Sequence, residues 1–410
     1  MEVLYQHCCG LDVHKQTLTA CVVWRDESTQ RQQAVREFPT HTEGLRQLAK
    51  WLKERGVQQV AMESTGEYWR PVWNLLEAEG FSQTLANAYH IQAVPGRKTD
   101  IKDAEWIAAL NEHGLVPASF VPSERVRHLR DLTRMRTKVV QDHTRVVNRI
   151  QAVLEDANLK LAGVATDLCG VSAQAMLKGL LEGGQTPQQL AQLAQGRMRS
   201  KHDQLCLALD GRLTDHHRFL LRRLLLQAGF LDSQERMLSR EIKRRLTAEE
   251  REAVRLWDTI PGVDQTTAWV LVAEIGTHSE QFPDARHLAS WAALCPGNHQ
   301  SAGKRKSGRT RKGNRWLRGA LSQAAWAAKH SKGTYLSALF RRVAARRGRK
   351  RATIALAHSI LISAYHMWKH KQAYVELGDD YLDRLNATRT VRNLSKRLKK
   401  LGFRVQQIPA

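Results

Sequence analysis

The apolar positions of this chain change period once. Up to about residue 120, short runs alternate between strand-like and helix-like spacing. His7-Cys8-Cys9-Gly10-Leu11-Asp12-Val13 and Thr17 to Trp24 are two apolar runs separated by His14-Lys15-Gln16, the pattern of a β-hairpin. Thr40-His41-Thr42-Glu43 has capping-box spacing and opens a helix through Leu45, Leu48, Trp51 and Leu52, closed by Gly56. Val57 to Met62 reads as a strand ending at Glu63, Glu67 to Glu79 as a helix closed by Gly80, and Phe81 to Leu85 as a strand. After a turn at Pro95-Gly96, Asp100 to Glu112 reads as a helix ended by Gly114. Strands alternating with helices imply an α/β layer, and the hairpin makes its sheet mixed.

From Pro122 the spacing is helical. Val126, Leu129, Leu132, Val139, Val146, Ile150 and Val153 fall near a 3.5-residue repeat, interleaved with Arg125, Arg127, Arg130, Arg134, Arg136, Lys138 and Arg145. This predicts a long amphipathic helix, a coiled-coil arm. A Gly/Gln-rich stretch over 163–200, broken at Gly183-Gly184, leads to a second helical region from Gln204 to Leu256. The two arms pair with each other or with a partner chain, and the sequence favours neither. Ile260-Pro261-Gly262-Val263 then precedes a helix from Thr266 to Ile275. That turn is either a helix-hairpin-helix element whose N–H groups grip phosphate or a plain packing corner. The divisions fall at 1–120, 121–256, 257–375 and 376–410.

Charge sharpens this picture. The formal net charge is +24, but residues 1–120 hold 12 basic and 15 acidic side chains, 121–290 hold 25 and 21, and 291–410 hold 27 and 4. A solubilising surface intersperses both signs. A block almost without acid is the footprint of a polyanion, because each neutralised phosphate releases counterions. An anionic membrane is the weaker rival, since no amphipathic basic helix with an aromatic face stands out. The longest apolar stretch, Ala352 to Trp368, has 17 residues and contains His358 and His366, short of the roughly 20 that span a bilayer. With no secretory signal at Met1-Glu2-Val3, the expectation is a cytoplasmic protein without a membrane role. Cys8, Cys9, Cys21, Cys169, Cys206 and Cys295 form no CxxC or zinc spacing and read as reduced, buried thiols.

Four carboxylates stand out. Asp12 interrupts an apolar strand and Glu63 ends another, so each belongs at a rim with a cation for a partner. Asp100 and Asp103 share one helix face, a turn apart. Such oxygens can bind hard cations, and two cations roughly 3.5–4 Å apart clamp the attacking and leaving oxygens of phosphoryl transfer. Plainer readings exist: Asp12 as a turn residue, Glu63 paired with Arg70 or Lys98, and Asp100 and Asp103 as partners of a helix dipole. A second stretch, from Cys295-Pro296-Gly297 through Ser301-Ala302-Gly303 to Arg318, carries eight Lys or Arg after Ser301 and no acid. Its small residues would let a phosphate approach the Ser301 hydroxyl, although composition alone leaves Ser301 a turn residue.

Gly10-Leu11-Asp12-Val13-His14-Lys15, Met62-Glu63-Ser64-Thr65-Gly66-Glu67-Tyr68 and Lys98-Thr99-Asp100-Ile101-Lys102-Asp103-Ala104 resemble the three blocks of the DEDD-type insertion-sequence transposases of the "one-ten" family. The resemblance, from about residue 7 to about residue 370, implies a RuvC-like catalytic domain of RNase H fold over 1–120. A helical coiled-coil region comes next over 121–256, then a mainly helical C-terminal transposase domain over 257–375 and a basic tail over 376–410. Carried over by position, Asp12, Glu63, Asp100 and Asp103 would bind Mg²⁺. Ser301, in Ser301-Ala302-Gly303 where the family often has Ser-Gly-Gly, would attack DNA and hold it covalently, with Ser307 the fallback. Lys304, Arg305, Lys306, Arg309, Arg311, Lys312, Arg315 and Arg318 would contact nucleic acid. Arg341 to Arg351 and Arg389 to Arg404 are further phosphate contacts or solvated helix faces, and Trp316 is the tryptophan best placed to stack on a base.

The resemblance further implies a homodimer or homotetramer with a composite site, donor and target DNA as substrates, and a bridge RNA that pairs with both. Two other readings stand beside this recombinase: a RuvC-like structure-selective endonuclease that uses water, and a non-catalytic nucleic-acid-binding protein.

Overall fold

The computed structural model describes residues 3–25, 30–64, 66–86, 100–116, 118–277, 282–297, 299–301, 304–308, 310 and 313–406, without the side chains of 100, 101, 299–301 and 304–307. The turn expected at Pro95-Gly96 and the cation Lys98 lie outside the described residues. The chain divides into two compact units, Met1–Glu124 and Arg125–Ala410.

In the first unit the elements are β1 (His7–Val13), β2 (Thr17–Arg25), β3 (Arg31–Pro39), α1 (Thr42–Glu54), β4 (Gln59–Glu63), α2 (Trp69–Ala78), β5 (Ser82–Ala86) and α3 (Asp100–Glu112). The sheet order is β3-β2-β1-β4-β5. The first three strands pair antiparallel, while β1–β4 and β4–β5 are parallel, the mixed sheet expected. Cys9, Leu11 and Val13 of β1 face a core with Leu48 and Leu52 of α1 and Val72 and Leu76 of α2. The opposite face of β1 packs on α3, where Cys8 meets Ala104 and Ala108.

Two local expectations are corrected. The residue capping α1 is His41, whose Nδ1 accepts from the Gly44 N–H at 3.1 Å; the Thr40 hydroxyl instead donates to the Lys15 carbonyl at 2.8 Å. Strand β3 has no counterpart in the apolar pattern. As an edge strand it buries only Phe38, so its sequence, Arg-Gln-Gln-Ala-Val-Arg-Glu-Phe-Pro, stays polar.

Gly10 sets the second face. A Cβ at Gly10 would lie 2.3 Å from the Ala108 nitrogen and 2.5 Å from the Ala104 carbonyl oxygen, so only glycine lets α3 lie this close to β1. Asn111 Nδ2 donates to the carbonyls of Cys9 at 3.2 Å and Gln59 at 3.4 Å. Leu4 and Tyr5 donate to the Glu112 carbonyl. Later α3 residues thus meet earlier β1 residues, and the start of α3 lies toward the Asp12 end of the strand.

The second unit begins with α4 (Glu124–Asp156), then α5 (Leu161–Val164), α6 (Val171–Glu182), α7 (Pro187–Gln192), a 3₁₀ turn (Gly196–Lys201), α8 (His202–Ala208) and α9 (Asp215–Arg245). It continues with α10 (Ala248–Trp257), α11 (Gln265–Ile275), α12 (Ala285–Trp291), β6 (His299–Ser301), β7 (Lys304–Ser307), α13 (Arg315–Ala328), α14 (Tyr335–Arg347), α15 (Arg349–His370), α16 (Tyr381–Arg384) and α17 (Ala387–Lys400). The helical region expected from Gln204 to Leu256 is three helices. Capping boxes at Thr214 with His217 and Thr247 with Glu250 start α9 and α10 afresh.

Helices α4 and α9 pair antiparallel within the chain. Arg136 bonds Glu235 and Ser239, His143 lies 3.1 Å from Asp232, and His217 lies 2.8 Å from Asp156, so partner numbers fall as α4 advances. Val146, Ile150 and Leu154 of α4 share a core with Leu221 and Ala228 of α9 and with α6 to α8. A second core gathers α10 to α13 and α15 around Trp257, whose Nε1 donates to the Ala364 carbonyl at 2.9 Å. The turn before α11 packs closely on α13: Gly262 has φ +85°, and a Cβ there would fall 2.4 Å from the Ala324 carbonyl oxygen. Asp264 caps α11, accepting from the Thr267 N–H at 2.8 Å. Among the described residues no helix is long and apolar enough to cross a membrane.

Candidate active site and basic hairpin

The β1–β4 register pairs Gly10 with Ala61 and Leu11 with Met62, which sets Asp12 and Glu63 side by side at the next step. Neighbouring strands lie about 4.8 Å apart and alternate residues share a face. Gly10 and Cys8 face Ala104 and Ala108, and Ala61 faces Ile107, so Asp12 and Glu63, two residues on, lie on the side covered by α3. Asp12 is 7% exposed, and its Oδ2 lies 3.1 Å from Nε2 of the half-exposed His14. Asp12, expected at a rim beside a cation, is buried in its strand, with the His14 ring beside it. Asp12 is a strand residue in register with Thr19, not a turn residue. Glu63 is half-buried, and Arg70 lies 3.1 Å from Glu67.

Position 100 is four residues before Ala104, on the helical stripe of Ala104, Ile107, Ala108 and Asn111 that meets the sheet. Asp103 is half-buried one turn along. Because α3 runs antiparallel to β1, this first turn lies at the Asp12 end. The Asp100 side chain lies outside the described residues. Among the described residues no three His, Cys, Asp or Glu side chains form a metal-binding group. The donor set Asp12, Glu63, Asp100 and Asp103 is all oxygen, which suits a hard divalent cation. The neighbouring thiols do not compete. Burial pushes Cys8 up to about 12 and Cys21 up to about 11, keeping both neutral. Cys8, Cys9 and Cys21 are buried as expected, whereas Cys169, Cys206 and Cys295 are only half-buried.

Ser301 ends β6 and pairs in register with Lys304 of the antiparallel β7. The side chains of Ser301, Lys304, Arg305, Lys306 and Ser307, and the residues Arg309, Arg311 and Lys312 as a whole, lie outside the described residues. Gly313 marks the return from the hairpin to the core. A Cβ there would fall 2.5 Å from the Ala293 Cβ and 2.9 Å from the Trp291 carbonyl oxygen, so the chain re-enters beside the point where it left α12. Asn314 caps α13, accepting from the N–H groups of Trp316 and Leu317. Arg315 is exposed and Arg318 half-buried. The Trp316 ring already has cations about it: Arg315 at 4.7 Å, Arg134 at 5.8 Å and Lys138 at 6.0 Å from its centroid.

The other basic clusters divide. Arg341 and Arg342 reach Asp379 and Asp383, while Arg346 to Arg351 are exposed. The tail contains an amphipathic basic helix whose apolar face is aliphatic, with no aromatic residue. Val391, Leu394 and Leu398 of α17 form an exposed stripe among Arg389, Arg392, Lys396, Arg397, Lys399 and Lys400. Sequence reasoning missed Glu274, a wholly buried carboxylate joined to Arg134 and Asn314.

A transposase family model for the DEDD domain of IS110 elements matches residues 9–159, and a second, for the IS116/IS110/IS902 transposase family, matches residues 254–341. The chain belongs to the IS110 family of DEDD transposases. No curated protein matches it. The first match covers the mixed sheet, α3 and α4, in line with the RNase H-like fold that a DEDD domain implies. The second runs from the last turn of α10 to the middle of α14, with the hairpin inside it. Membership makes this a DNA-processing enzyme of transposition with DNA as its substrate.

Proposed function

We propose that this transposase excises and inserts its own insertion sequence by Mg²⁺-dependent strand cleavage and exchange through a covalent phosphoserine link, guided by a bridge RNA. The observation that carries the reading is the register that sets Asp12 beside Glu63 on the face covered by α3, whose first turn bears Asp100 and Asp103. Divalent cations held by these carboxylates would polarise the scissile phosphate and ease ionisation of the attacking hydroxyl. The Ser301 oxygen attacks phosphorus, its proton passing to a base. The bond to the 3′-oxygen breaks, leaving a 5′-phosphoserine and a 3′-hydroxyl protonated from water. Lys304, Arg305, Lys306, Arg309, Arg311, Lys312, Arg315 and Arg318 steady the non-bridging oxygens and neighbouring phosphates.

The enzyme acts in the cytoplasm as a homodimer or homotetramer that brings serine and carboxylates together on DNA. The antiparallel α4–α9 arm supplies a coiled-coil contact, a reading supported by Phe219, Leu226, Phe230 and Met237, exposed at intervals of seven, four and seven along α9. The four-part division at 120, 256 and 375 belongs to the same proposal.

The test is a denaturing-gel trap of protein-linked DNA with the link mapped by mass spectrometry. Wild type and Ser307→Ala should give the adduct, and Ser301→Ala none. An adduct retained by Ser301→Ala overturns the assignment; cleavage by Ser301→Ala without any adduct supports a water-using endonuclease instead.

A further inference from the structure

Glu274 lies in the last turn of α11, after the run Ala268-Trp269-Val270-Leu271-Val272-Ala273, and is wholly buried. A carboxylate there needs cations and donors. Arg134 of α4 donates Nε and Nη2 to its two oxygens at 2.8 and 2.9 Å. Arg130 Nε lies 3.5 Å from Oε2, and its guanidinium also holds the carbonyls of Ala273 at 2.7 Å and Glu274 at 2.6 Å. The third side chain is Asn314, whose Nδ2 donates to Oε2 at 2.6 Å. Asn314 Oδ1 is occupied by the N–H groups of Trp316 and Leu317 at 3.0 and 3.1 Å. Backbone N–H groups only donate and a carboxylate only accepts, so the amide has one possible orientation.

Asn314 is thus the cap of α13 and the end of a chain of contacts that starts on α4. It stands seven residues after the end of β7, next to Gly313, which is pressed against Trp291 and Ala293 at the end of the helix that precedes the hairpin. A core helix, α11, therefore grips the place where the hairpin rejoins the fold. Stabilising the cap alone would not need this grip, because Asn314 satisfies both N–H groups with its oxygen. The amide nitrogen is the part that reaches Glu274.

We propose that Glu274 is a positioning residue for the hairpin: through Asn314 it fixes where the chain passes from β7 into α13, and so where the Ser301 hydroxyl is presented to DNA. The inference rests on the reading of Ser301 as the nucleophile.

The experiment uses the full chain with its DNA substrate. Asn314→Ser keeps a capping oxygen but is too short to reach Glu274. Asn314→Asp also caps, but sets a second carboxylate against Glu274. The double variant Glu274→Gln with Asn314→Asp reverses donor and acceptor across that contact and leaves the pair one negative charge, while the Arg134 Nη2 group loses its acceptor at Oε2. The measurements are the single-turnover rate of adduct formation on saturating DNA, the DNA affinity, and amide hydrogen exchange over Lys304–Ser307. Asn314→Asp should lower the rate at least tenfold with affinity within twofold, and speed exchange in β7. Asn314→Ser should lower the rate by less, and the double variant should return it to within threefold of wild type. Rates within twofold of wild type in both single variants, or losses that track affinity without rescue, overturn the proposal. If Ser301→Ala still forms the adduct, the nucleophile assignment falls by itself. The grip of Glu274 on the hairpin is then decided by exchange, and unchanged exchange in Asn314→Asp ends it.

Discussion

Asp12 and Glu63 in the first unit and Glu274 in the second carry one signature, a single carboxylate in or at the end of an apolar run, and the fold treats them in opposite ways. Glu274 is sealed from solvent between two guanidiniums and the amide of Asn314. Asp12 and Glu63 sit side by side at strand ends, with Asp12 against an imidazole that is 47% exposed. Burial depth alone does not separate the two cases, because Asp12 is itself only 7% exposed. The neighbours do: an acid between two guanidiniums is neutralised in place and anchors the fold, whereas two acids side by side at strand ends favour a cation between them.

This contrast is broken most directly by removing each charge. Asp12→Asn should lower strand cleavage by about 10³-fold, since metal-held charge supplies several kcal/mol at about 1.4 kcal/mol per tenfold. The melting temperature should hold or rise, because a nearly buried carboxylate has been neutralised. Single-turnover cleavage and thermal melts on the same samples check both halves. A large drop in melting temperature with cleavage retained would mean that Asp12 is an anchor after all.

Glu274→Ala should do the reverse to stability. It strands Arg134 and Arg130 in a buried corner, and breaking such a pair costs about 3–5 kcal/mol. Chemical denaturation should show the loss, with the denaturant slope unchanged. A cost under about 1 kcal/mol, the level of exposed ion pairs, would show the network to be no anchor.

The lone-acid signal found Asp12 and Glu63 in the sequence, and it was present at Glu274 as well. What hid Glu274 is that its partners lie far away along the chain: Arg134 is one of many arginines along α4, and Asn314 looks like an ordinary cap. Elements bounded by their own chemistry were legible. Helix α3 runs over Asp100–Glu112 as its opening acid and its closing Gly114 predict, and the β1–β2 hairpin arises from two apolar runs. Strand β3 was not, because an edge strand with one buried side chain has no apolar pattern to read. The breaks on either side of α9 were also missed. Leucines continue through them at near-helical spacing, and only the caps at Thr214 and Thr247 mark the restarts. The pairing of α4 with α9 inside one chain was open for a similar reason, since heptad spacing specifies a partner face but not whose it is.

A gentler version of the comparison uses pH. Glu250 is a second buried acid held by arginine: Arg125 donates to its two oxygens at 3.0 and 2.5 Å at the start of α4. Burial favours the neutral acid, but the hydrogen bonds from Arg125 and the Thr247 N–H outweigh it and hold the carboxyl below its usual range. The folded state therefore binds the proton less readily than the unfolded chain, where a glutamate titrates near about 4.3. Its contribution is fully present above that value and is lost as pH falls through the lower, folded one. Melting curves of wild type should thus drop steeply below about pH 4.3. Glu250→Gln should start from a lower melting temperature at neutral pH and fall less over the same interval. The loss should be smaller than at Glu274, because Arg125 is half-exposed and water takes over part of its charge when the partner is gone. If the two proteins instead lose stability in parallel on acidification, Glu250 titrates alike folded and unfolded, and the arginine partner does not set its behaviour.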